Sequence, residues 1–191
     1  MSTVHDRIDS RLRAFIERQH VFFVATAPSD PAGHVNVSPK GIGGTFAVID
    51  DSTVAYLDIT ASGAETIAHL RDNGRITLMF CAFEGPPNVV RLHGHGRFVT
   101  VYDEEFADLL ALFGEHRGAR AVVIVDVERV SDSCGYGVPL MENVGERHLL
   151  PEHMERKGEA GRVEYRRRKN TVSIDGLAAF DYDAPVPADA G

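Results

Sequence analysis

The chain has 191 residues, 43% of them hydrophobic and 25% charged, with a formal net charge of −8. That length suits one domain, and the acidic balance speaks against nucleic acid or an anionic membrane surface as the main partner. No apolar run reaches the roughly 20 residues that span a bilayer. The first residues lack a basic region followed by an apolar stretch, so no secretory signal is expected. The two cysteines, Cys81 and Cys134, stand far apart, the pattern of free thiols in a reducing compartment. The expectation is a cytoplasmic protein.

In chain order, Val4, Ile8, Leu12, Phe15 and Ile16 share one helical stripe, which predicts an amphipathic helix over residues 1–20. Residues 21–27 are β-branched and aromatic and predict a strand closed by a Pro-Ser-Asp-Pro turn. Residues 34–40 alternate. Pro39 cannot donate to a ladder, so this strand is expected to end or lie at an edge there. Gly41, Gly43 and Gly44 supply a turn before a strand over 46–50, and Asp50, Asp51 and Ser52 turn into another over 53–60.

Ser62 and Glu65 have the spacing of a capping box, and Ala64, Ile67, Ala68 and Leu70 form the buried stripe of a short helix. Asp72, Asn73 and Gly74 end it. Residues 75–83 and 88–101 read as strands, the second with a bulge or bend at Gly94 and Gly96. Asp103 is placed to cap a helix striped by Phe106, Leu109, Leu110 and Phe113. Residues 121–130 are the last core strand, 151–169 a polar helix, and 181–191 a disordered tail. One domain over residues 1–180 follows, with an N-terminal helix and a C-terminal helical segment. Strands joined by hairpins, with helices in the long connections, favour a mainly β, antiparallel barrel over a parallel sheet. No G-x-G-x-x-G turn follows a strand, which argues against a dinucleotide fold.

Two stretches point further: H-V-N-V-S-P-K-G at 34–41, and Y-L-D-I-T-A-S-G-A-E-T-I-A-H-L-R-D-N-G-R-I-T-L-M-F at 56–80. Together they resemble the pyridoxamine 5'-phosphate oxidase-like, FMN-binding split-barrel family, chiefly over residues 20–130. The resemblance implies a six-stranded antiparallel Greek-key split β-barrel with flanking helices. It also implies a homodimer holding FMN in a cleft at the interface, and flavin-dependent oxidation or reduction of a small molecule.

By motif position, Thr60, Ser62, Gly63 and Thr66 are the expected phosphate-binding residues, at a helix amino terminus that suits an anion. Lys40 matches the lysine that closes the corresponding family strand, with Val37, Ser38 and Pro39 running beside the ring. Arg91 is expected to point into the cleft. The chain departs from the oxidases proper at Gly63 and Ala64, where they carry two basic residues. Lys40, Arg91 or Arg97 would have to substitute, and Glu65 would face the phosphate. With no tryptophan and no R-L-A-P ending, the pyridoxamine phosphate reaction itself is not expected.

Two alternatives remain open: a deazaflavin-dependent reductase, and a non-catalytic flavin or haem binder with His93 or His95 as axial ligand. Two histidines are too few for zinc, so no metal is expected. The glycine-bearing turn at 133–139 carries Tyr136, suited to a planar ligand or a subunit boundary. The basic run at 166–169 reads as a solvated helix end. In the family such C-terminal segments complete the partner's site, a role open here to Lys169, Asn170 and Ser173.

Overall fold

The structure is a computed structural model and describes residues 2–182. Eight strands form one antiparallel sheet: β1 (Ser2–His5), β2 (Phe22–Thr26), β3 (Asn36–Lys40), β4 (Phe46–Val48), β5 (Thr53–Ile59), β6 (Arg75–Cys81), β7 (Val89–Thr100) and β8 (Ala119–Ser133). The order across the sheet is β3-β2-β6-β7-β8-β5-β4, with β1 also on β8. The long strands β7 and β8 are its spine. β7 takes one edge of β8 throughout, while β5 and β1 share the other, pairing with residues 119–126 and 130–133. A register shift between His93 and Gly94 bends the pair. Only glycine fits there, because a Cβ on Gly94 would lie 2.0 Å from the Asp126 carbonyl oxygen.

The strands curl into a half-barrel around Phe22, Phe46 and Phe80, whose ring centroids lie 5.1–5.5 Å apart. Helix α1 (Ser10–Glu17) adds Leu12, Phe15 and Ile16 to this core, and α2 (Glu65–Asp72) adds Ile67, Ala68 and Leu70. On the other side of β5 and β8, Ala55, Leu57, Val122 and Ile124 form a second cluster with Phe106 of the short helix α3 (Phe106–Leu110). Helix α4 (Leu149–Lys169) is interrupted by non-helical Gly158. The chain then folds back, with Val172 bridging Ala178 and Phe180 stacked on Tyr182 at 5.5 Å.

The mainly β split barrel and its flanking helices are as expected, with eight strands where the resemblance implies six and the residue patterns predict seven. The strand those patterns do not predict is β1. Residues 2–5 pair with β8 rather than starting a helix, and α1 begins at Ser10, where the Asp9 carboxylate accepts the Leu12 N–H at 2.7 Å. The capping box is not formed. Ala64 is the N-cap of α2, no side chain caps it, and Ser62 is exposed. Asp103 does not cap α3 either; its carboxylate accepts the Thr100 N–H and hydroxyl. Tyr182, placed in the tail by sequence, is buried against Tyr102 at 5.7 Å, while residues 183–191 of that tail lie outside the described residues.

Candidate functional site

Strand β3 ends the sheet, and its alternation splits the motif between two faces. Asn36, Ser38 and Lys40 are half-buried, whereas Val37 and Pro39 are exposed. On the inner side, Lys40 Nζ donates to Asp58 Oδ1 at 2.9 Å and Arg120 Nε to Asp58 Oδ2 at 2.7 Å. The Asp58 and Arg120 side chains are almost wholly buried, and Lys40 is 24% exposed. Burial opposes ionisation of Asp58, but the Arg120 and Lys40 charges outweigh it and hold the carboxyl down at about 2. Burial, reinforced by the Asp58 charge, pushes the neighbouring Tyr56 phenol well above its ordinary value. The Lys40 ammonium stands 5.7 Å from the centroid of that ring.

The amino end of α2 is built from four distant segments. Thr60 is fully buried; its hydroxyl donates to the Gly118 carbonyl at 2.8 Å and accepts from Arg166 Nε at 2.9 Å. Arg166 also donates to the Ala119 carbonyl at 2.9 Å. Arg120 Nη2 donates to the Gly63 carbonyl at 2.8 Å, and Asn170 Nδ2 to the Ala61 carbonyl at 2.9 Å. The Glu65 carboxylate accepts the Ile174 N–H at 3.1 and 3.2 Å. One residue on, Asp175 accepts the backbone and ring N–H groups of His34 at 2.8 and 2.7 Å. A further polar chain runs inward from β3. Ser38 donates to Asn36, Asn36 to Thr66 at 3.2 Å, and Thr26 bonds His69 Nδ1 at 2.9 Å. Among the described residues, the His69 Nε2 is buried without a hydrogen-bond partner.

The structure therefore links Ser38 through Asn36 to Thr66 and ties Lys40 to Asp58 on the inner side, while Thr60 is sealed in the interior against Gly118 and Arg166. Ser62 and Gly63 are exposed. Val37 and Pro39 face outward. Arg91 joins them, because the register sets Pro39, Phe23, Met79, Arg91 and Ser131 in one row across five strands. Its guanidinium donates to the Ser133 hydroxyl at 3.2 Å. Both histidines weighed as ligands have partners. His93 Nδ1 bonds Thr77 at 3.1 Å, and His95 pairs with Glu128 at 2.8 Å.

Sequence reasoning missed Asp58, Arg120 and Arg166, and it offered Asn170 to a partner's site, whereas here its amide donates to Ala61 of its own chain. A carboxylate inside the apolar run V-A-Y-L-D-I, and an arginine heading A-V-V-I-V, were the available signals for the first two. Arg166 lies in a basic run, where nothing local separates the one buried arginine from its exposed neighbours.

Does this site suit a flavin phosphate? The inner row of β3 offers polar groups to the edge of a flat ring. At the α2 end no side chain caps the helix, but the Glu65 carboxylate lies in its first turn and each nominated cation already has a partner. Lys40 pairs with Asp58, Arg91 with Ser133, and Arg97 with Glu105 at 3.1 Å.

On the outer face, α1, β2, β3 and the loop after β8 enclose an open groove of about 1690 Å3, lined by Phe15, Phe23, Pro39, Phe83, Met141 and Leu150. Among the described residues no helix is long and apolar enough to cross a membrane.

Comparison with known proteins agrees with this architecture. Residues 8–134 match the family described as Pyridoxamine 5'-phosphate oxidase. A curated relative, the pyridoxamine 5'-phosphate oxidase family protein ustO of Aspergillus flavus, is 38% identical over 195 residues, covering 93% of this chain and 77% of the relative. The crystal structure of HupZ from Group A Streptococcus aligns over 66% of this chain and 99% of its own, with 26% identity and a TM-score of 0.51. A putative 5-nitroimidazole antibiotic resistance protein from Bacteroides thetaiotaomicron shares the fold, with a TM-score of 0.50 and 16% identity over 69% of this chain and 86% of that one. With the split barrel and these matches in hand, the chain belongs to the pyridoxamine 5'-phosphate oxidase family.

Proposed function

We propose that this protein is a flavin-dependent oxidoreductase acting on a small molecule, with FMN as the nominated flavin lying along the inner row of β3. The observation that carries this reading is the half-buried row Asn36, Ser38 and Lys40 on an end strand, a line of polar groups open to a flat ring. A bound flavin would supply hydride chemistry, and the chain would supply binding and orientation. The cofactor-binding residues in this reading are Ser38, Lys40 and Thr66, with Val37 and Pro39 contributing backbone.

A second reading, a non-catalytic flavin or haem carrier, draws on the protonation states at the mouth. Asp58 is held ionised and Tyr56 protonated, so neither exchanges a proton near neutral pH.

The same reading includes a homodimer, with the second copy on the outer face. Support comes from the 1690 Å3 groove, larger than the roughly 300–1,000 Å3 of small-ligand pockets. The bordering loop adds support, with Leu140, Met141 and Val144 55–93% exposed. The groove's charged lining, Arg11, Arg18 and Arg147 with Glu84, Asp132, Glu142 and Glu146, carries both signs and can pair with its own copy across a two-fold axis.

The deciding experiment is the visible spectrum of the purified protein, followed by FMN titration. Bound flavin whose absorbance bleaches with reductant and returns with substrate supports the oxidoreductase. A flavin that binds but does not turn over supports the carrier. A protein that takes up no flavin overturns both flavin readings.

A further inference from the structure

We infer that the cavity at the Lys40 end of β3 is a binding site for a small organic cation, an apolar ring bearing an ammonium group and no phosphate. This names a substrate class for the proposed reaction and rests on the flavin reading for that role. The binding itself does not depend on it.

The cavity encloses about 260 Å3, near the lower end of the roughly 300–1,000 Å3 of small-ligand pockets, which suits a ligand of one ring. Its buried lining is aromatic. Phe22 and Phe80 are buried and Phe46 is half-buried, with centroids 5.1–5.5 Å apart. Its exposed lining is polar and includes Glu17 and His20 at the end of α1 and Glu146 on the loop after β8.

The charges decide the sign of the ligand. Glu17 accepts from Arg13 Nε at 2.8 Å, and Lys40 donates to Asp58 at 2.9 Å. Among the described residues, the Glu146 carboxylate has no hydrogen bond or ion pair. Gly43 leaves room for it, because a Cβ there would collide with Glu146 Oε1. What remains unsatisfied is one negative charge at the edge of an aromatic pocket. An ammonium group answers it with a charge-assisted hydrogen bond, and aromatic rings attract a cation. The His20 imidazole, also without a partner among the described residues, offers a second hydrogen bond. An anion would meet two carboxylates, and the Lys40 ammonium that could attract it is already held by Asp58.

Three probes built on one ring separate charge from shape: benzylammonium, benzyl alcohol and benzoate. Each is titrated by NMR into the full chain as purified, with and without added FMN. The inference expects benzylammonium to bind at least about threefold tighter than either other probe, the share of one exposed ion pair. Its ring should show cross-relaxation to the Phe46 ring. Glu146→Gln, at an exposed position, should abolish the preference while leaving benzyl alcohol binding and urea unfolding unchanged. Gly43→Ala, which displaces the carboxylate, should weaken benzylammonium in the same direction. Benzoate or benzyl alcohol bound as tightly as the ammonium, no binding at millimolar benzylammonium, contacts away from Phe46, or a preference that survives Glu146→Gln overturns the inference. Flavin uptake is read separately from visible absorbance. A protein that binds the ammonium but no flavin keeps the cation site and loses the flavin reading, and one that binds flavin but not the ammonium does the reverse.

Discussion

The amino end of α2 and the outer face of β2 and β3 are opposites. At the first, polar side chains from four segments bond one another and the backbone, down to the Ile174 amide on Glu65, and among the described residues only single atoms such as Arg166 Nη1 and Asn170 Oδ1 stay buried without a partner. At the second, apolar side chains find none: Val37 of β3 and Val35 just before it are exposed, as are Leu140, Met141 and Val144 on the loop beside the groove. A buried polar group without a partner is costly, so a folded chain satisfies most of such a site from its own residues. An apolar surface is tolerated uncovered until a second molecule covers it. The contrast teaches where to look for partners: at the face that is unfinished rather than at the one richest in polar residues.

The closed end is broken most severely at its buried ion pair. Arg120→Leu leaves the Asp58 carboxylate buried with Lys40 alone, and is expected to cost about 3–5 kcal/mol in urea unfolding. Replacing Asp58 and Arg120 together by leucine should cost less than the single change, because no buried charge is then stranded. A double variant that is no more stable than Arg120→Leu would mean the pair is not coupled as its geometry indicates.

Acid probes the same pair more gently. The folded Asp58 value lies below its unfolded one, so the stability it contributes is fully present above the ordinary carboxylate value and lost as pH falls through the folded value. Its folded value of about 2 places the loss between roughly pH 4 and pH 2, with a size of about 2 kcal/mol. Unfolding free energies of the protein and of the double leucine variant, measured across that window, should converge as pH falls.

The open face is tested by charge. Leu140→Asp with Val144→Asp, both at exposed positions, should leave unfolding stability within about 0.5 kcal/mol. It should shift a dimer toward monomer in sedimentation by at least about tenfold in dissociation constant. A wild-type protein that sediments as a monomer would remove the second copy from this face.

The smallest effect is at the His34–Asp175 tie, which is solvent-exposed. The hydrogen bond to Asp175 raises the His34 value, so the tie is complete below the ordinary histidine range and weakens as pH rises through the folded value. Hydrogen exchange at the His34 amide should quicken over that rise, and His34→Ala should abolish the dependence.

Much of this was legible beforehand. Runs of strand-forming residues between turn signals, with alternation at 34–40, marked the strands from Phe22 to Thr100. The capping box was misread because S-x-x-E spacing is satisfied locally only when nothing else competes, and here Ile174, 109 residues away, takes the glutamate. Strand β1 escaped because four residues that also fit a helical stripe pair with β8 at the far end of the chain. Arg91 is likewise half-buried as alternation implies, but which side of the sheet is the cleft is a property of the curl, not of the strand.

By itself, then, the amino-acid sequence determined the family, the antiparallel barrel and the candidate strand at 34–41, since each is written in local periodicity and motif spacing. Only the tertiary structure decided which polar groups remain free. That follows from long-range pairing, in which α4 and the residues after it return across the sheet and claim Thr60, Ala61 and Glu65 for the chain itself.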